Sequence, residues 1–68
     1  MTVIVRMRHI RAADLCAGGA RQWFAHHGFS WPDFLENGKS ADELEATGDA
    51  LALQVVAIAR AEDADGRQ

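Results

Sequence analysis

The stretch 49–61, DALALQVVAIARA, constrains this chain more than any other. Between Ala50 and Ala59 its only polar residue is Gln54. A helix that is apolar nearly all round is one that other elements wrap. The run is too short to cross a bilayer, which takes ~20 apolar residues. A buried strand is the competing reading of any short apolar run. The alanines at 50, 52, 57 and 59 favour helix, and Thr47 or Asp49 offers an N-cap in front of them. The expectation is a buried C-terminal helix over 49–61, with the rest of the chain packed around it.

At 68 residues the chain is one domain with a thin core, because a protein of this size buries only ~60% of its unfolded surface. Disulfides, metals or self-association often make up the deficit. The single cysteine, Cys16, rules out an internal disulfide and reads as a small buried hydrophobe. No basic-then-apolar leader opens the sequence, so the expected setting is the reducing cytoplasm. The net charge of −3 is unevenly spread: residues 1–31 carry four arginines against one acid, and residues 32–68 three cations against nine acids. Such polarity suits head-to-tail association or a partner recognised by charge, and it equally describes two solvated faces.

Thr2–Met7, TVIVRM, is β-branched and reads as a short strand or arm over 1–7. No second convincing strand follows it. An unpaired strand edge is a template for another chain, so the segment is expected either to pair with its copy in a homodimer through Thr2–Met7 or to lie on the helices. The helical domain is expected over 8–61, with helices near 9–14, 15–27, 31–36, 41–46 and 49–61. In the second, Leu15, Gly19, Trp23 and His27 form one row at i, i+4 spacing, and Cys16, Ala20 and Phe24 the row beside it: a continuous apolar stripe. Gly28 is placed to end that helix in the left-handed conformation, with Phe24 and Phe29 as the apolar pair of a Schellman ending. Ser30 and Pro32 open the next helix and Asn37-Gly38 closes it. Ser40 with Glu43 has the spacing of a capping box. Beyond Arg60 the polar segment 62–68 is expected to be a disordered tail.

Little in the sequence points to catalysis. His9, Cys16, His26 and His27 are the possible metal ligands, but neighbouring histidines on a helix point about 100° apart, and no C-x-x-C or H-x-x-x-H spacing occurs. Cys16 lacks a glycine-rich elbow or oxyanion element to make it a nucleophile. The acids Asp42, Glu43 and Glu45 describe a solvated helix face. No metal, no cofactor and no enzymatic activity are therefore expected. A helix-turn-helix would need a polar second helix, and the helix after Thr47-Gly48 is apolar. Arg6, Arg8, Arg11 and Arg21 could still form a basic patch, which keeps a small nucleic-acid-binding regulator as the alternative reading. The leading expectation is a surface of Arg8, Arg11 and Arg21, with Trp23 or Trp31 nearby, that docks onto protein, since tryptophan and arginine dominate interface hot spots.

Cys16, Gly19, Arg21, Trp23-Phe24, His27-Gly28, Trp31, Phe34-Leu35, Gly38, Leu44 and Thr47-Gly48-Asp49 together resemble a family of small proteins encoded in bacterial prophages and tailed phages. The resemblance covers roughly residues 8–60 and rests on structural residues rather than a catalytic signature. It implies a phage-derived setting and a helical fold, carries over no functional residue, and implies glycine at position 14, where this chain has Asp14. The whole reading is a mainly α-helical small domain that acts without catalysis, by binding protein: itself, or a virion or host component.

Overall fold

The computed structural model describes residues 3–65. In chain order the elements are β1 (Ile4–Val5), α1 (Met7–Ala12), α2 (Ala17–His26), α3 (Trp31–Asn37), β2 (Lys39–Ser40), α4 (Ala41–Glu45) and α5 (Ala50–Asp65). The chain is mainly α-helical. None of its described helices is long and apolar enough to cross a membrane.

The N-terminal strand finds its partner inside the chain. β1 runs antiparallel to β2, with Ile4 opposite Ser40 and Val5 opposite Lys39, and the Ala41 N–H extends the ladder by donating to the Val3 carbonyl at 2.9 Å. The strand is shorter than the expected Thr2–Met7: Met7 already belongs to α1, and Thr2 lies outside the described residues. Lys39-Ser40 carries no strand signal of its own, so this pairing was invisible to propensity. The unpaired edge that motivated a homodimer through Thr2–Met7 is thereby supplied with hydrogen bonds from within.

Local capping decides most helix ends. The imidazole Nδ1 of His9 accepts the Arg6 N–H at 2.8 Å and opens α1, two residues earlier than expected. α1 closes in a Schellman arrangement: Asp14 adopts φ +62°, the Leu15 N–H reaches the Ile10 carbonyl at 3.2 Å and the Asp14 N–H the Arg11 carbonyl at 3.0 Å. A left-handed φ is a conformation that glycine adopts at less cost than the aspartate that stands here. α2 ends as expected, with Gly28 at φ +74°, the Phe29 N–H on the Phe24 carbonyl at 2.8 Å, and the two phenyl rings 5.8 Å apart. Ser30 Oγ accepts the Asp33 N–H at 3.2 Å to cap α3. Asp49 Oδ1 accepts from the Leu51 and Ala52 N–H groups, at 2.9 and 3.3 Å, to cap α5. The Ser40–Glu43 capping box does not form. Ser40 is held in the ladder and its hydroxyl caps nothing, while Glu43 Oε2 faces Lys39 Nζ at 3.5 Å.

α5 is the central element but is not sheathed on all sides. Ala52, Val55, Val56 and Ala59, at i, i+3, i+4, i+7 spacing, are buried against Val5, Ile10, Phe24, Phe34, Ala41 and Leu44. Leu51 is 48% exposed and Leu53 42%. With 100° per residue they stand on opposite flanks of the buried stripe. A chain with only short helices around α5 covers one face and leaves two flanks. The helix also runs beyond the expected stop at 61, through Asp65, because its last turns are bound: Arg8 grips Glu62 Oε1 at 2.6 Å. That removes 62–65 from the expected disordered tail; residues 66–68 lie outside the described residues. On the other flank Arg60 ties α5 to α4, reaching Glu45 at 2.7 Å and Asp42 at 3.0 Å.

Candidate functional site

The apolar stripe of α2 reaches the core through Phe24, with Leu15, Ala20 and Trp23 partly buried against it. α2 makes its closest backbone approaches to α1 and α3. Between it and the first half of α5 lies an apolar cleft of about 190 Å³, open to solvent on one side. Leu15, Gly19, Ala20 and Trp23 line it from the α2 side, Leu51 and Val55 from α5, and Ile10, Phe24 and Leu44 lie deeper. Every lining residue is aliphatic, aromatic, Cys or Gly, so nothing there can carry a charge through desolvation or orient a phosphate or sugar. The room comes from short side chains at the facing positions: Gly19 and Ala20 on α2, Ala52 on α5. If such a volume were closed and empty it would cost ~4–5 kcal/mol at ~24 cal/mol per Å³. The whole stability expected of a chain this long is only ~3–10 kcal/mol. An open side relieves part of that by letting solvent, or a partner's apolar group, enter.

Cys16 sits at the mouth of the cleft. It is exposed, not the buried hydrophobe its residue type suggested, because it is the N-cap of α2: its Sγ accepts the Gly19 N–H at 3.2 Å. At the other end, the Trp23 ring lies 4.1 Å from that of His27 and 5.6 Å from that of Phe24. The indole N–H is closed off from water without an acceptor at full hydrogen-bonding geometry. Asp49 stands beside it, and its carboxyl is held below its ordinary value chiefly by that indole. The contact is a charge–dipole attraction that ties the start of α5 to α2 across the end of the cleft.

The five residues expected to bind a partner stand in different surroundings. Trp23 lines the cleft. Arg11 is exposed, next in sequence to Ile10 of the cleft floor, and Arg21 is exposed, next to Ala20 of its wall. Arg8 is committed elsewhere, to Glu62. Trp31 is half-buried and packs on Phe24 and Phe34, with ring centroids 5.3 Å away in each case, and does not line the cleft. Arg6 reaches the Glu36 carbonyl at 3.4 Å. Among the described residues the cation–π contact is Lys39 over Phe29, at 4.2 Å, and none joins an arginine to a tryptophan.

The chain matches no family model, no curated protein and no solved structure.

Sequence reasoning named Trp23 and the α2 stripe but missed their opposite wall, Leu51 and Val55. The signal was present: an α5 apolar nearly all round offers more surface than a 68-residue chain can cover. It also read His9 only as a metal-ligand candidate. His9 is 2% exposed; beside its capping role, Nε2 lies 3.2 Å from Glu62 Oε1, close enough to feel the charge though off-line for a hydrogen bond. Arg8 and His9 together hold the Glu62 carboxyl down, from its ordinary 4.5 to about 2, the Arg8 hydrogen bond being the larger cause. No described group of three His, Cys, Asp or Glu side chains could hold a metal ion.

Proposed function

We propose that this is a non-enzymatic protein, phage-derived as the family resemblance implies, that works by binding another polypeptide through the cleft between α2 and α5. The observation that carries the reading is the cleft itself. Its walls are apolar throughout, its volume of about 190 Å³ suits one large side chain, and half-exposed Leu51 stands at its edge. A dry apolar cavity of ~150 Å³ is already enough to take a benzene ring. Apolar anchors inserted into such pockets are what give protein interfaces their hot spots.

The test is selection of helical peptides from an unbiased display library on the full chain, with counter-selection on Ala20→Leu, which fills the cleft from the α2 wall. Peptides enriched on the wild type, and bound at least ten-fold more weakly by Ala20→Leu at equal fold content, are the expected result. A library that enriches nothing, with a chain that stays monomeric to several hundred micromolar in sedimentation, refutes the reading. So do selected peptides whose amide shifts map away from α2 and α5.

A further inference from the structure

We infer that His9 is a pH-sensitive joint between β1 and α1: the neutral imidazole caps the start of the helix, and the protonated one releases that cap and is held by Glu62. The geometry leaves the ring one arrangement of protons. The Arg6 backbone N–H donates to Nδ1 at 2.8 Å. Nδ1 must therefore offer a lone pair, and the proton of the neutral ring sits on Nε2. Nε2 in turn lies 3.2 Å from Glu62 Oε1. A second proton can enter only at Nδ1, where the Arg6 amide already stands. Two N–H groups cannot face each other at that distance, so protonation breaks the cap. His9 is 2% exposed, and the freed amide regains a partner only if the backbone or the ring moves.

The surroundings bring both states within reach. The charged groups that share a polar hollow with His9 are Arg6 and Arg8 at the start of α1 and Glu62 and Asp63 in α5. Val3 and Ile4 line the same hollow without charge, and among the described residues α2 places no charged side chain in it. Arg8 is engaged by Glu62 at 2.6 Å. The Glu62 carboxyl is held down to about 2, so it stays ionised throughout the range in which histidines exchange protons, roughly pH 5 to 8. That anion favours an imidazolium, while the Arg6 amide favours a neutral ring. Gaining a proton thus trades a local hydrogen bond for a stronger attraction between α1 and α5. Arg6 is the single residue between β1 and α1, and its N–H shares a peptide plane with the Val5 carbonyl. Release of the cap therefore slackens the junction of strand and helix while α5 keeps its hold on α1.

The experiment uses the full chain, labelled with nitrogen-15 and followed by NMR from pH 8 to pH 5. At pH 8 the ring nitrogens of His9 should report the neutral tautomer protonated at Nε2. As His9 gains its proton the Arg6 amide proton should move upfield in step. The protection of that amide from exchange, relative to an unstructured peptide at the same pH, should fall about two- to ten-fold, the range that one hydrogen bond supports. His9→Gln keeps an acceptor, since glutamine is a usual residue at this position of a capping box, and it cannot titrate. Its Arg6 amide should hold constant over the same range. Glu62→Gln removes the anion that favours the imidazolium, and should move the response to lower pH.

A neutral ring protonated at Nδ1, a His9 that gains no proton above pH 5, or an Arg6 amide that ignores the titration would each overturn the inference. So would an unchanged response in His9→Gln, which would assign it to His26 or His27 instead. Should His9→Gln fail to fold, the tautomer and the Arg6 amide of the wild type decide the matter alone.

Discussion

Gly38 is the position where one added methyl group should do the most damage. It joins α3 to β2 at φ +78°, ψ −173°, a region essentially closed to side-chain-bearing residues. A Cβ there would collide with Ile4 Cγ2 and lie 2.8 Å from the Val5 carbonyl oxygen. Both contacts belong to β1, and Val5 is fully buried. Neither the carbonyl nor a core strand can step aside. Gly38→Ala therefore combines backbone strain of ~1–3 kcal/mol with displacement of β1. The latter loosens the β1–β2 ladder and the Val3–Ala41 bond, each hydrogen bond worth ~1 kcal/mol. A total loss of ~3–5 kcal/mol approaches the ~3–10 kcal/mol available to a domain of this length. Urea and thermal melts followed by far-UV circular dichroism should show the variant largely unfolded or melting far below the wild type. Gly18→Ala is the control: it lies in the first turn of α2 with nothing within 4 Å of the new Cβ, so it should be neutral or stabilise by up to ~1 kcal/mol. A Gly38→Ala protein that melts cooperatively within about 1 kcal/mol of the wild type would show that β1 is not held where the argument needs it.

The C′ residue of α1 should respond in the opposite sense. Asp14→Gly at φ +62° removes a side chain from a left-handed conformation and should stabilise by up to ~1 kcal/mol; a lower melting temperature would mean that the carboxylate does something beyond tolerating the turn. In the core, Val55→Asp, at a site 4% exposed, should unfold the domain by burying an unpaired charge, at several kcal/mol. Gln54→Glu, on the exposed side of α5, should stay within about 0.5 kcal/mol, and similar melts for the two variants would contradict the assignment of faces. The Glu62 carboxyl, depressed to about 2 in the folded chain, contributes stability that is present above its ordinary 4.5 and lost as pH falls towards 2. The melting-temperature gap between wild type and Glu62→Gln should therefore be constant above about pH 5 and close between roughly pH 4.5 and 2; a gap as wide at pH 2 as at pH 7 would refute the pairing with Arg8 and His9.

What the sequence made legible follows the range of the interaction. The Schellman ending at Gly28, the Ser30 cap with Pro32 behind it and the Asp49 cap all depend on residues within six positions of one another. The order of helices followed from them. The partner of β1, by contrast, is Lys39-Ser40, two residues with no strand character, chosen because Gly38 lets the chain approach Ile4 and Val5 closely. Likewise α5 outlasts its polar C-terminal composition because Arg8, 54 positions earlier, binds Glu62. The Ser40–Glu43 capping box failed for the same reason: a local preference was outbid by a ladder to a distant strand and by Lys39 one turn away. Cys16 misled because residue type speaks for burial, whereas here a first-turn amide needed an acceptor and a thiol was the side chain in place.

The candidate site was half legible, and the missing half has a geometric cause. Apolar spacing fixes which face of a helix avoids water, so the row Leu15, Gly19, Trp23 and its neighbour Cys16, Ala20, Phe24 could be read directly. Spacing does not say how much apolar surface the rest of the chain can reach. α5 offers apolar residues on three sides, while α1 and α4 between them cover one face and α2 leans towards α1 and α3 instead. Leu51 and Val55 then share with Ala20 and Trp23 the lining of one open apolar cleft. A longer side chain at Ala20 would fill part of that cleft, whereas one at Gly19 would have to displace Cys16 Sγ, 3.3 Å from where its Cβ would stand. Short residues where two apolar walls meet leave room there, and an apolar group entering it would recover part of the stability that a filled core would have had.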